Sequence, residues 1–226
     1  MTEADSTTTK LVDIRDMLVV HTALSREFRL APVAVERVKP DDRKHAQCVD
    51  EHLRLICNLL HAHHSGEDEI LWPVLRPRLS VADRQLLDNI EAQHQDIHRC
   101  LERVNDARRR WLDQPDRKSG SALANGLQTM HELVIDHLAD EERDIVPLAA
   151  AYLSDREWRA ANDEGPKVLS PKMLLMTVGM CCYGTSRELI AVLLQVIPRP
   201  LRPVVTRVGG LMYARRAARV HGTRRP

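Results

Sequence analysis

Two pairs of residues, His63 with Glu67 and His137 with Glu141, stand four positions apart. On a helix that spacing puts both side chains on one face, one turn apart, so each pair can direct two ligands to one place. His21 and His94 offer further imidazoles, and His98 follows His94 at the same spacing. Imidazole together with carboxylate suits iron, manganese or zinc, and no thiolate pattern points to an iron–sulfur cluster. A carboxylate facing an apolar interior is costly unless it is paired or bound to a cation. Carboxylates can bridge two ions, which is how di-iron helix bundles are built. The competing reading is a buried, hydrogen-bonded polar layer without metal, but such layers rarely gather so many ionisable groups.

Four periodic segments must carry these residues. The first runs from about Lys10 to Leu30 and is expected to stop before Pro32. The second runs from about Asp41 to Val74, between Pro40 and the closing Pro73 and Pro77. The third opens at Ser80, with Asp83 at capping-box-like spacing, and ends near Pro115; the fourth follows Ser119–Gly120 and continues to about Leu153. Their seams step by three and four residues. The first seam reads Leu11, Ile14, Leu18, His21, Ser25, Phe28, and the second Val49, Leu53, Ile56, Leu60, His63, Glu67, Ile70, Val74. The third reads Leu87, Ile90, His94, Ile97, Leu101, Val104, and the fourth Leu123, Leu127, Met130, Val134, His137, Glu141, Ile145, Leu148. Apart from Ser25, each seam is apolar except at the level of its histidines and glutamates. No stretch alternates as a strand would. The expected fold is all-α, an antiparallel up-down-up-down four-helix bundle over residues 10–155.

An internal repeat supports this. Glu67-Asp68…Leu71…Pro73 matches Glu141-Glu142…Ile145…Pro147 at an offset of 74, which also pairs His63 with His137. At an offset of 73, His21 pairs with His94 and Ser25 with His98. The domain reads as two copies of a helix pair, and a pseudo-twofold arrangement suits two metal ions.

These residues resemble the hemerythrin family, in its bacterial branch with the HHE cation-binding domain. The resemblance covers roughly residues 10–153. It rests on His21, on His63-x-x-x-Glu67 leading to Pro73, on His94-x-x-x-His98, and on His137-x-x-x-Glu141 leading to Pro147. It implies an oxo- or hydroxo-bridged di-iron cofactor, with iron ahead of manganese or zinc. Its imidazole ligands would be His21, His63, His94, His98 and His137, and its bridging carboxylates Glu67 and Glu141. With octahedral irons, about one of roughly twelve coordination positions stays open, and the resemblance implies that it lies on the iron held by His21 and His63. Hemerythrin itself has an aspartate five residues after its last histidine, so Glu142 competes with Glu141. His64 with Asp68 repeats the His63–Glu67 spacing but leaves the seam and the repeat register.

The remaining histidines read as bystanders. His52, His61 and His131 are expected to flank the site or lie at the surface, and His45 and His221 to be exposed. Five cysteines, at 48, 57, 100, 181 and 182, form no CxxC and fit reduced thiols. The polar N-terminus, 1–9, is expected to be disordered and lacks a signal-peptide core, and the apolar run Met173–Ser186 is too short to span a bilayer. A cytoplasmic protein is expected. Formal net charge is only +1, and one Phe, three Tyr and three Trp make no base-stacking platform, so no nucleic-acid partner is expected. Residues 166–222 read as a C-terminal helical extension that covers the bundle, followed by a basic tail, 223–226. After Glu188 no acidic residue occurs while eight arginines do, so membrane-surface contact is the alternative role for this end.

The functional expectation is a di-iron protein that binds or senses a small oxidant: O2, nitric oxide or peroxide. The alternative is a di-iron enzyme with catalase- or peroxidase-like activity in oxidative or nitrosative stress defence. A further alternative is iron storage, iron sensing or repair of iron centres.

Overall fold

Helix starts follow local side-chain chemistry. Asp42 caps α2 (Arg43–Gly66) by accepting from the His45 N–H, and Ser80 caps α4 (Val81–Asp113) by accepting from the Asp83 N–H. Asp116 and Ser119 form a reciprocal capping box at the start of α5 (Arg117–Asp144). These caps satisfy N–H groups that lack an intrahelical partner. The computed structural model describes residues 11–164 and 170–226, so the expectation for 1–9 lies outside the described residues. The described residues are helical, with no strand among them.

Helix α1 (Arg15–Glu36) corrects one expectation by continuing through Pro32. Proline removes an N–H and crowds the preceding turn, yet Ala31, Pro32, Ala34 and Val35 are all buried. Tertiary packing carries the helix past its breaker. The first seam drifts as well: Leu11 is exposed, while Val12, Met17 and Leu24 take core positions.

The second segment is interrupted directly after its histidines. Glu67–Leu71 forms a π-helical turn between α2 and the short α3 (Trp72–Leu75), with the Trp72 N–H bonding five residues back to the Glu67 carbonyl. Pro73 has no N–H to offer and its ring crowds the carbonyl four residues before it, so a wider turn just ahead of it relieves the conflict. The extra residue moves the buried face from Ile70 and Val74 to Leu71 and Leu75. The fourth segment breaks at the equivalent point. Ile145 separates α5 from α6 (Val146–Tyr152), and the buried face moves from Leu148 to Ala149. The Glu…Pro repeat thus places a discontinuity at Glu67 and one turn beyond Glu141.

Helix α5 packs on α1 and α4, and α2 packs on α1 and α4. The apolar interior falls into two large clusters. One gathers Leu24, Phe28, Leu53, Ile56, Leu60, Ile97, Leu101, Leu127 and Val134. The other gathers Met17, Leu71, Trp72, Leu75, Leu87, Ile90 and Ile145. In sequence, the histidines and glutamates fall between these two sets on each helix.

Beyond α7 (Asp155–Glu164), the C-terminal segment forms α8 (Pro171–Cys182), α9 (Arg187–Leu193) and α10 (Arg202–Val220). Helices α8 and α10 pack closely, α10 also meets α2, and α8 and α9 meet α1. The close approach is made by glycines: a Cβ on Gly179 would stand 2.1 Å from the Gly209 carbonyl oxygen. Met176, Met180, Tyr213, Ala217 and Val220 join the larger core cluster. This segment therefore packs on the bundle. No helix among the described residues is long and apolar enough to cross a membrane.

Candidate metal centre

Four helical segments each bring at least one ligand-bearing side chain to a single buried level. His21 comes from α1, His63 and His64 from the last turn of α2, Glu67 from the π turn, His94 from α4, and His137 with Glu141 from α5. Ligand atoms of His21, His63, Glu67 and Glu141 form one group within 4.8 Å, and those of His64, His94 and His137 form another.

The carboxylates join the two groups. Glu67 Oε1 lies 3.3 Å from His63 Nε2, while its Oε2 lies 3.6 Å from His94 Nε2. Glu141 Oε2 lies 3.5 Å from His21 Nε2 and 3.6 Å from His137 Nε2. His21 and His63 bring their Nε2 atoms to 2.9 Å.

Outer partners orient the rings. His21 Nδ1 meets Glu142 Oε1 at 2.8 Å, His94 Nδ1 meets Asp68 Oδ1 at 2.7 Å, and His137 Nδ1 meets Gln93 Oε1 at 3.1 Å. Gln93 is itself held by donating to Asp140. Each contact leaves Nε2 as the nitrogen facing inward, the arrangement expected where a carboxylate or amide fixes the tautomer of a ligating imidazole. Glu142 and Asp68, which the sequence left in competition for the site, hold rings from outside it. Their side chains are partly exposed, whereas Glu141 is fully buried.

His98 is corrected. Its side chain is 53% exposed and lies 3.7 Å from Glu102. Ile97 and Leu101 already take the inward face of α4, so His98, one turn from His94, is rotated off it. His64 stands in the cluster instead, its ring stacked on that of His94 with centroids 4.1 Å apart. The sequence signal for His64 is the spacing Leu60, His63, His64, Glu67, the ordinary buried stripe of an amphipathic helix. A seam of two positions per heptad is too narrow to include it.

The donor set fits a metal. Both oxygens of Glu67 and of Glu141, with Nε2 of His64, His94 and His137, are buried without a hydrogen-bond partner. A buried polar atom left so costs about 1–3 kcal/mol, and cations held at this place would satisfy all seven together. Burial and the neighbouring imidazoles push His63 and His64 well below the usual histidine range, and His137 down to about 2. Burial, reinforced by the charge of Glu141, pushes the Glu67 carboxyl well above its usual range, and burial raises Glu141. Without metal His63, His64 and His137 therefore stay neutral, with lone pairs free to bind, and the two carboxyl groups resist ionising until a cation offsets the cost.

A cavity of about 200 Å³ reaches this level, lined by Leu60, His61, His64, Asp68, His94 and His98 among others. It meets the site beside His64 and His94, not beside His21 and His63.

The profile of the hemerythrin HHE cation-binding domain matches residues 12–149, more than half of the chain. The chain belongs to the hemerythrin HHE family. It is also similar to proteins named iron-sulfur cluster repair protein YtfE. The relative from Citrobacter koseri is 24% identical over 155 residues, covering 66% of this chain and 70% of the relative. Those from Escherichia coli and Shigella boydii are 23% identical over the same coverage. No solved structure matches the chain. The family match implies a metal-binding site, typically for iron, and the buried His/Glu groups could hold the ion.

Two histidines expected to be peripheral are not. His52 is 1% exposed and His221 keeps only 5% of its side chain exposed; both face Glu27 of α1. Their burial depends on α10 folding back over α1 and α2, a contact between segments far apart in the chain that local periodicity does not reveal.

Proposed function

We propose that this chain is a non-haem di-iron protein that binds or senses a small oxidant, O2, nitric oxide or peroxide, in an antiparallel up-down-up-down bundle. The observation that carries the reading is Glu67, with one oxygen toward His63 and the other toward His94. His21 and His63 would hold one iron, and His64, His94 and His137 the other, with Glu67 and Glu141 bridging. Two bound irons would supply electrons and a Lewis-acidic position for a diatomic or peroxide ligand.

The chain's own residues do the rest. Glu142, Asp68 and Gln93 orient imidazoles, and the two apolar clusters keep bulk water from the level between them. The cavity beside His64 and His94 has the size for a small molecule. The free cysteines are consistent with a reducing, cytoplasmic setting.

The test is metal analysis of protein purified without added metal, then anaerobic reduction and exposure to O2 or nitric oxide. About two irons per chain and a reversible optical change are expected. A folded chain with sub-stoichiometric metal, or a spectrum unchanged by either gas, overturns the reading.

A second reading, repair of iron centres, is favoured by the similarity to proteins named for iron–sulfur cluster repair. It predicts that the iron-loaded protein restores activity to an oxidatively damaged iron–sulfur enzyme. Failure of the loaded protein to outperform free ferrous iron rejects it.

A further inference from the structure

A second buried cluster lies outside the centre described above, where the C-terminal segment meets the bundle. Glu27 of α1 is fully buried. Its Oε1 accepts from Tyr213 Oη at 2.6 Å and from Arg26 at 3.0 and 2.8 Å. That fixes the carboxylate and turns Oε2 toward two imidazoles: His52 Nε2 of α2 at 2.9 Å and His221 Nε2 at 3.6 Å. His221 caps the C-terminus of α10, and the following Gly222 takes the left-handed conformation at φ +77°, which ends the helix there.

We propose that Glu27, His52 and His221 form a second, mononuclear site for a zinc-class divalent cation. Their ligand atoms lie within 4.8 Å of one another. Zinc–ligand bonds of about 2.0–2.1 Å put tetrahedral neighbours about 3.3–3.4 Å apart, and the observed 2.9 and 3.6 Å bracket that spacing. His221 Nε2 is buried and has no hydrogen-bond partner. An ion between the three atoms would give it one. Two imidazoles and one carboxylate leave a fourth position for water, the donor count of many zinc and non-haem iron sites.

The neighbours select the kind of ion. Arg26 neutralises Glu27, so calcium or magnesium, which depend on several anionic oxygens, gain little here. Zinc and its chemical relatives draw more of their affinity from imidazole and so lose less to that neutralisation. The site joins α1, α2 and the end of α10, so loading it would tie the C-terminal segment to the bundle.

The test uses full-length, iron-loaded protein titrated with Zn2+, and separately with Co2+ as an optical reporter, with iron content measured throughout. One further equivalent per chain with visible cobalt bands is expected, and a raised melting temperature. His221→Gln and, independently, His52→Gln should each lose that equivalent and those bands while keeping their iron and far-UV circular dichroism. Absence of a further equivalent in the unaltered protein, or the same equivalent in both variants, overturns the proposal. Iron content is read separately, so failure here is distinct from failure at the other centre.

Discussion

Glu67 turns its two carboxylate oxygens to different imidazoles, Oε1 to His63 at 3.3 Å and Oε2 to His94 at 3.6 Å. In the proposed di-iron reading, a residue in that position would link the two metal positions, and its loss should affect both. Glu67→Gln keeps the shape but removes the charge. Iron per chain should fall from about two to one or fewer. The metal-dependent gain in stability, about 4 kcal/mol at a thousandfold excess over Kd, should largely disappear. Iron assay and thermal melts with and without iron check this.

His64 and His98 give opposite expectations. His64→Asn should lower iron content, because its Nε2 faces the cluster without another partner. His98→Ala should leave iron content unchanged, since the side chain is half exposed. Equal losses in the two variants would contradict the geometry.

The outer partners should act on affinity and leave the fold intact. Asp68→Asn weakens the hold on His94 Nδ1, now 2.7 Å from the carboxylate. Loss of such a partner commonly lowers metal affinity about 10- to 100-fold. Competition with a chelator measures it, and circular dichroism should not change.

Metal-free protein should have a stability maximum near neutral to mildly acidic pH. His63, His64 and His137 have folded pKa values below the ordinary 6.5. As pH falls below 6.5 the unfolded chain takes up protons that the folded one refuses, so their contribution is lost on acidification. Glu67 and Glu141 are raised above 4.5. Above that value the unfolded chain ionises first, so their contribution is lost as pH rises through their folded pKa. Bound iron would take the place of the protons on the carboxylates, and the loaded protein should keep its stability at higher pH. Denaturant melts across pH 5–8, with and without iron, test the pair of slopes.

The contact between α8 and α10 predicts a backbone effect. Gly179→Ala would place a methyl group 2.1 Å from the Gly209 carbonyl oxygen. Overpacking of this kind costs about 1–3 kcal/mol. The melting temperature should drop while iron content is retained.

Much of this arrangement was legible in the sequence because it is local. All six seam positions of α4 are buried, and the second seam holds up to Glu67. Beyond Glu67 and beyond Ile145 the seams slip by one residue, because Pro73 and Pro147 impose breaks that a constant period cannot carry. His64 lies in the buried stripe of α2 but outside a seam of two positions per heptad. His98 stays outside the cluster because Ile97 and Leu101 take the face it would need. The ring formed by Glu27, His52 and His221 has no local signature, since its members meet across nearly two hundred residues of chain.

The interruptions after Glu67 and Glu141 also divide the mechanical character of the centre. His94 sits within the unbroken span of α4, and His21 within α1, where the backbone ladder resists displacement. The two glutamates lie beside the places where that ladder changes pitch or stops. One side of the centre is carried by continuous helix and the other by helix that changes pitch or ends. A change in ionic radius or in ion spacing would therefore be absorbed by the carboxylates, with the imidazoles of α1 and α4 serving as the fixed frame.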